Sequence, residues 1–334
     1  MNTIKRYKLF SALVIIILHA VLWQYGEGWI ISMGEKYSAL LTGKPLNQIQ
    51  LFDYDGIPVQ SYRAYGIQYN PLFIAVQAKK DFDNEPRNIK RFLKLSDWLV
   101  DNAEIGDSTL WLPYRFDLPG YNLKAPWQSG LAQSVVLTVF VRRHQIEPGG
   151  KWMELAAKAL NTIKPESHLV LKMEDGGLWF MEYPSSVDPY VLNGMMSVLL
   201  ELDFYYKQSG NIEAKELFDR GFESLVSNLD KFDYHGFSYY GIRKQKAGRN
   251  YHQKHIRQLL ELAAVKPHPK LEYYQKRWQS RDQYPVLVQL VFNPRPRRIM
   301  VFWISLLLPL LIMWLGFSVK PKASLRIVPF TLAL

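Results

Sequence analysis

The sequence has no cysteine, which excludes a disulfide framework and any thiolate-held metal. It has no HExxH, and no carboxylate completes a ligand set beside its paired histidines, so no metal is expected. A glycine-rich phosphate loop is also missing, so no nucleotide cofactor is expected. Acids are absent from residues 1–8 and 294–334, where nine of the eleven net positive charges lie. The chain between carries only +2, so the basicity belongs to the flanks of apolar segments, where it suits anionic lipid. A nucleic-acid partner is therefore not expected. What is present is a large apolar share, 48%, and 14% aromatics over 334 residues, enough for one large domain or two small ones.

Two segments read as membrane spans. Leu9–Trp23 is apolar apart from Ser11 and His19 and follows Lys5, Arg6 and Lys8. No small-residue cleavage site follows it, so it reads as an uncleaved anchor. Ile299–Phe317 runs 19 residues without a charge, close to the about 20 needed to cross a bilayer. Trp303 and Trp314 lie toward its ends, as interfacial aromatics do. The blander reading of either segment is a buried core helix. Lys5, Arg6, Lys8, Lys320, Lys322 and Arg326 outnumber Lys36, Arg295, Arg297 and Arg298, which sets both termini in the cytoplasm and the intervening domain outside. The expected plan is a basic tail (1–8), a span (9–24), a linker with a small β region (25–69), a helical domain (70–285), a basic juxtamembrane linker (286–298), a second span (299–317) and a tail (318–334).

In the middle, Gln48–Gln68 alternates around Asp55–Gly56, a hairpin signal. Helical periods then dominate: Pro71–Asp83, Arg87–Asn102, Ser129–His144, Trp152–Ile163, Pro189–Lys207, Ile212–Leu229, His252–Ala264 and Lys270–Arg281. Gly210 and Gly236 sit where helices should stop. Thr109–Tyr121 alternates, and His168–Phe180 has β-rich arms around Glu174–Gly177, a second hairpin. The expected fold is mainly α: antiparallel helix pairs with β excursions at one end, an (α/α) toroid-like domain with short hairpins, flanked by the two spans.

Two stretches carry candidate chemistry. In EYPSSVDPYVLNG, Glu182 precedes Tyr183–Pro184, and the proline holds Tyr183 extended, so Glu182 belongs to a loop. Ser185 or Ser186 is placed to cap the helix expected near Pro189. Between Tyr234 and Leu260 there is no acid, but there are six Lys or Arg and three of the seven histidines. On a helix beginning near Asn250, Tyr251 and His255 lie four apart and His252 and His255 three apart, sharing a face. A solvated cationic face with one buried histidine is the plain alternative.

The order EYPSS…YVLNG, then DYHGFSYYGIR, then NYHQKHIRQL resembles the C-terminal domain of the D-glucuronyl C5-epimerase family, which modifies heparosan and heparan sulfate. GIQYNPLFIAVQ is similar to the entry of that domain and APWQSGLAQS to its tryptophan-and-glutamine segment, so the likeness runs from about Tyr65 to Trp278. It implies Glu182 as the catalytic carboxylate, with Tyr240 and Tyr251 as catalytic tyrosines. It also implies Tyr183, Asn193, Arg243, His252, His255, Trp127 and Gln133 as substrate-binding, no cofactor, an acidic polysaccharide as substrate and a homodimer. Met181 stands where animal members have a second glutamate, and Gly241 replaces an acid.

Inverting carbon 5 of a uronate removes a proton alpha to a carboxylate, whose charge must be neutralised. Arg243, His252 and His255 are the expected cations. Glu182 and Tyr240 are the expected acid/base pair, with the phenol's pKa lowered by those cations; Tyr251 is the other candidate for the proton-transferring tyrosine. A polysaccharide lyase begins with the same abstraction, and a non-catalytic glycan-binding or export component would retain the same cleft.

Overall fold

The computed structural model describes residues 3–43, 49–62 and 64–318. The expected tail with Lys320, Lys322 and Arg326 lies outside the described residues, as do the side chains of Lys5 and Arg297. The chain forms two units, one of residues 39–283 and one that joins residues 1–38 to 284–334.

The larger unit opens with strands β1 (Ile49–Phe52), β2 (Pro58–Tyr62) and β3 (Gly66–Gln68), an antiparallel sheet in which Phe52 faces Pro58 and Tyr62 faces Gly66. The expected Asp55–Gly56 turn is present: the Asp53 carboxylate accepts from the amides of Asp55 and Ile57, and Gly56 has φ +76. Eight helices follow, interrupted by two-stranded hairpins. They are α2 (Pro71–Asp83), α3 (Ile89–Asp101), β4 (Glu104–Ile105), β5 (Leu110–Trp111), α4 (Gly130–Ile146), α5 (Trp152–Asn161), β6 (Val170–Lys172), β7 (Leu178–Phe180), α6 (Leu192–Ser209), α7 (Ile212–Asn228), β8 (Asp233–Tyr234), β9 (Phe237–Ser238), α8 (Arg249–Val265) and α9 (Pro269–Asp282).

The helix ends follow local chemistry. Asn70, Asn88, Ser129 and Asn211 each accept an orphan amide of the helix they precede. Gly210 closes α6 in the left-handed conformation. Gly236 does not end a helix; with His235 it makes the positive-φ turn of the β8–β9 hairpin. The expected cap by Ser185 or Ser186 is not made. Helix α6 begins three residues later than expected, after Val191 without a side-chain cap, and Ser185 Oγ instead donates to the Tyr121 carbonyl.

The helices pair as α2–α3, α4–α5, α6–α7 and α8–α9, and the first members pack side by side, α2 on α4, α4 on α6, α6 on α8. This is the (α/α) toroid-like build. Helix α4 is buried along nearly its whole length, as its lack of a polar face requires. One apolar core, including Ile74, Phe92, Phe140, Leu199, Phe222 and Trp278, runs through all four pairs. Connections inside a pair are short, residues 84–88, 147–151, 210–211 and 266–268. Those between pairs are long, 102–129, 162–191 and 229–248, and carry every hairpin after the first sheet. The alternation puts all three long connections at one end of the ring.

In the smaller unit, helix α1 (Thr3–Thr42) does not end where the first span was expected to; it continues through residues 25–42, read above as linker. Gly26, Gly28 and Gly34 weaken that stretch without breaking it, and the helix stops before Gly43, whose φ is +62. A short α10 (Val286–Phe292) precedes α11 (Pro296–Ser318). His19 meets Ser305 at 2.9 Å, Trp23 stacks edge-on to Phe302 at 5.3 Å, and Arg298 donates to Glu27 at 2.7 Å. Rising numbers on one helix meet falling numbers on the other, so α1 and α11 are antiparallel. Arg6–Thr42 and Arg298–Gly316 are long and apolar enough to cross a membrane.

Candidate active site

The site is built where the second and third long connections meet. Leu192 N–H donates to the Tyr240 carbonyl at 3.0 Å and Ile242 N–H to the Tyr190 carbonyl at 3.3 Å, an antiparallel bridge centred on Val191 and Gly241. It brings Tyr240 to Glu182 across the chain. Gly241 is required there, because a Cβ would lie 2.3 Å from the Asp188 carboxylate. Gly194 is required likewise: at the start of α6 a Cβ would meet Glu182 Oε2 at 2.8 Å.

Glu182 is buried, 6% exposed, on an irregular segment. Asn193 Nδ2 donates to its Oε2 at a long 3.4 Å, and the Tyr183 side chain lies beside the carboxylate. Burial pushes its pKa up, against the opposing effects of the Lys254 charge and of the Tyr183 and Asn193 side chains. The phenols around it move the same way. Tyr240, close to Tyr183, is pushed well up by burial and then by the Glu182 charge. Tyr251, whose ring lies edge-on 4.8 Å from that of Tyr240, is raised by the same two causes. Tyr121 stacks on Tyr183 at 4.0 Å and is raised again by burial first and Glu182 second. The expected lowering of the phenol by cations is thus overturned: removal from water and a neighbouring anion both favour the protonated phenol.

The remaining predicted residues divide. Asn193 is buried against Glu182, and its carbonyl accepts from Gln258 Nε2 at 3.1 Å. Trp127 is buried with Nε1 donating to the Phe116 carbonyl at 2.8 Å; it stacks on Tyr114 at 3.9 Å and supports Tyr183 from 6.0 Å. Gln133 is wholly buried and its amide is consumed by the core, accepting from Leu112 N–H and donating to the Leu110 carbonyl and Thr162 Oγ1. Such a side chain holds the β5 connection and offers nothing to a sugar. His252 accepts from Ser238 N–H at Nδ1, and its Nε2 faces the Trp278 carbonyl at 3.3 Å, the pattern of a neutral imidazole. His255 is fully buried, paired with Ser238 Oγ at 2.8 Å, and burial holds its pKa well below the usual value. Both histidines pin α8 to the β8–β9 hairpin and carry no charge toward a substrate. Arg243 is exposed, with its charge acting on Asp188.

Three contributors were not singled out from sequence. Tyr121 lies in a loop whose alternation suggested only a strand. Asp188 lies against the bridge, its carboxylate facing the Gly241 position and the Arg243 charge. Lys254, a turn after Tyr251, was counted only as one of a run of cations. Lys254 also lines an open cavity of about 360 Å³ between α2, α4, α6 and α8, with Leu72, Val76, Lys79, Leu131 and Glu201. Its size falls within the range of about 300–1,000 Å³ usual for small-molecule sites. No cluster of metal-ligating side chains occurs among the described residues.

The fold is thus an (α/α) ring of helical pairs with a buried carboxylate among phenols at its loop end. The chain belongs to the D-glucuronyl C5-epimerase C-terminus family, whose profile matches residues 106–280, so its class is carbohydrate epimerase. It is 27% identical over 217 residues to a D-glucuronyl C5-epimerase of Caenorhabditis elegans, covering 56% of this chain and 34% of that protein. It spans about a third of that relative's length. An uncharacterised protein of Methanocaldococcus jannaschii is 26% identical over 247 residues, 64% of this chain and 78% of the other. Among solved structures, the cellobiose 2-epimerase of Spirochaeta thermophila shares 8% identity over 84% of this chain and 85% of its own, with a TM-score of 0.45. A family-76 alpha-mannanase of Bacteroides thetaiotaomicron shares 11% over 77% and 71%, with a TM-score of 0.46.

Proposed function

We propose that this protein epimerises D-glucuronyl residues of an acidic polysaccharide to L-iduronyl residues at carbon 5, from a two-pass membrane anchor that holds the domain outside the cytoplasm. The observation that carries the reading is the buried carboxylate of Glu182 set among the phenols of Tyr183 and Tyr240 at the loop end of the ring. Ionised Glu182 takes the carbon-5 proton, and the resulting enolate is quenched from the other face by Tyr240 O–H. This leaves a carboxylic acid and a phenolate. Tyr183 lies between them, and a proton passed from Glu182 to Tyr183 while Tyr183 gives its own to Tyr240 restores the starting state. A phenol with a raised pKa stays protonated at neutral pH, so it still holds the proton it must give when the more basic carbanion forms. The long apolar windows of α1 and α11 support the anchor, and heparosan is the first polymer to try.

Incubating the full-length protein with heparosan in heavy water tests this. Deuterium at carbon 5 of the uronate without unsaturated chain ends is the expected result. Ultraviolet-absorbing unsaturated ends would assign a lyase instead. No deuterium in heparosan, chondroitin or other glucuronate polymers would overturn the epimerase reading.

A further inference from the structure

Abstraction of a proton alpha to a carboxylate is opposed by that carboxylate's charge, which cations or hydrogen-bond donors must offset, and the three cations expected from sequence do not do so. His252 and His255 are neutral and internal, and Arg243 is exposed beside Asp188. We infer that Lys254, on the wall of the helix-lined cavity and one turn from Tyr251, is the residue that receives the uronate carboxylate.

Four observations meet there. Lys254 lies three residues after Tyr251 on α8, hence on the same helix face. It is half-buried and lines the central cavity. Its ammonium has no hydrogen bond or ion pair among the described residues; Glu182, Glu201 and Glu261 act on it only at a distance. Glu182 in turn feels the Lys254 charge more than any other. The contrast with Lys79 on the same cavity wall is direct, since Lys79 is tied to Glu201 at 2.5 Å. A desolvated ammonium without a partner is unfavourable in the free protein, and burial duly lowers its pKa. An arriving carboxylate removes that cost and is itself neutralised, next to the base that must attack beside it. The motif N-Y-H-x-x-H leaves position 254 open, so the assignment is particular to this chain. It rests on the epimerase reading for its meaning but not for its test.

The test measures binding of the full-length protein in detergent micelles to heparosan oligosaccharides and to the same oligosaccharides with their carboxyl groups reduced to alcohols. Wild type is expected to favour the acidic ligand by roughly tens-fold. Lys254→Met is expected to lose that preference, and Lys254→Arg to retain most of it. Thermal unfolding of both variants checks that they fold. Equal binding of the two ligands by wild type, or an unchanged preference in Lys254→Met, overturns the inference. The second outcome would leave Lys254 only the task of holding Glu182 ionised. Deuterium exchange by wild type is scored separately: its absence alongside a Lys254-dependent preference would sink the epimerase reading and leave the carboxylate subsite standing.

Discussion

Glu182 and Glu201 are equally buried, each 6% exposed, yet they live in different parts of the ring and are treated differently. Glu201, midway along α6, accepts from Lys79 Nζ at 2.5 Å and from Thr138 Oγ1 at 2.7 Å. Glu182, on the connection before α6, has one long hydrogen bond, from Asn193, with the Tyr183 side chain beside it. Helix interiors hold side chains at fixed spacing, so a buried charge there can be matched by partners on neighbouring helices. The loop end leaves Glu182 with unspent acceptor capacity, which is what a reacting group needs. The difference separates a carboxylate that stabilises from one that is kept costly for chemistry.

The sharpest break is Glu182→Gln. Carbon-5 exchange is expected to fall by about 10³-fold or more. The same variant is expected to be more stable, because burial raises this carboxyl above its ordinary 4.5. With the folded value above the unfolded one, the ionised group destabilises at neutral pH, and the penalty disappears as pH drops below the unfolded value. A gain of about 1 kcal/mol at neutral pH that vanishes near ~pH 4 is the expected signature in denaturant titrations. Glu201→Ala is expected to do the opposite: about 2 kcal/mol of stability lost through unpairing Lys79 and Thr138, read as a lower unfolding midpoint. Equal stability effects at the two sites would erase the contrast. Smaller, and a test within the site, Tyr240→Phe should slow exchange by about 10²-fold. Tyr251→Phe should cost less, because 44% of that residue faces solvent and it reaches the carboxylate only beside Tyr240.

Much of this was legible in the chain. Pro71 after Asn70, Ser129 before Gly130 and Asn211 before Ile212 are end signals that act over one turn, and each helix starts where they say. The Glu182–Tyr183–Pro184 order fixed a loop by the steric demand of the proline alone. What failed involved neighbours distant in sequence. Residues 25–42 were expected as linker after the first span, whereas the helix continues through them to pack on α11. Gln133, His252 and His255 carried polar groups suited to a ligand, but their partners, Thr162, Ser238 and Trp278, are set by packing.

The sequence by itself determined the helical pairs, the long connections at one end and the residues gathered on them, because periodicity, capping and turn chemistry are properties of a few adjacent residues. Only the tertiary structure decided which of those groups are charged, which phenols stay protonated and which lysine is left without a partner. Those outcomes depend on desolvation and on the sum of fields from side chains brought together across the fold, and no stretch of chain carries that information alone.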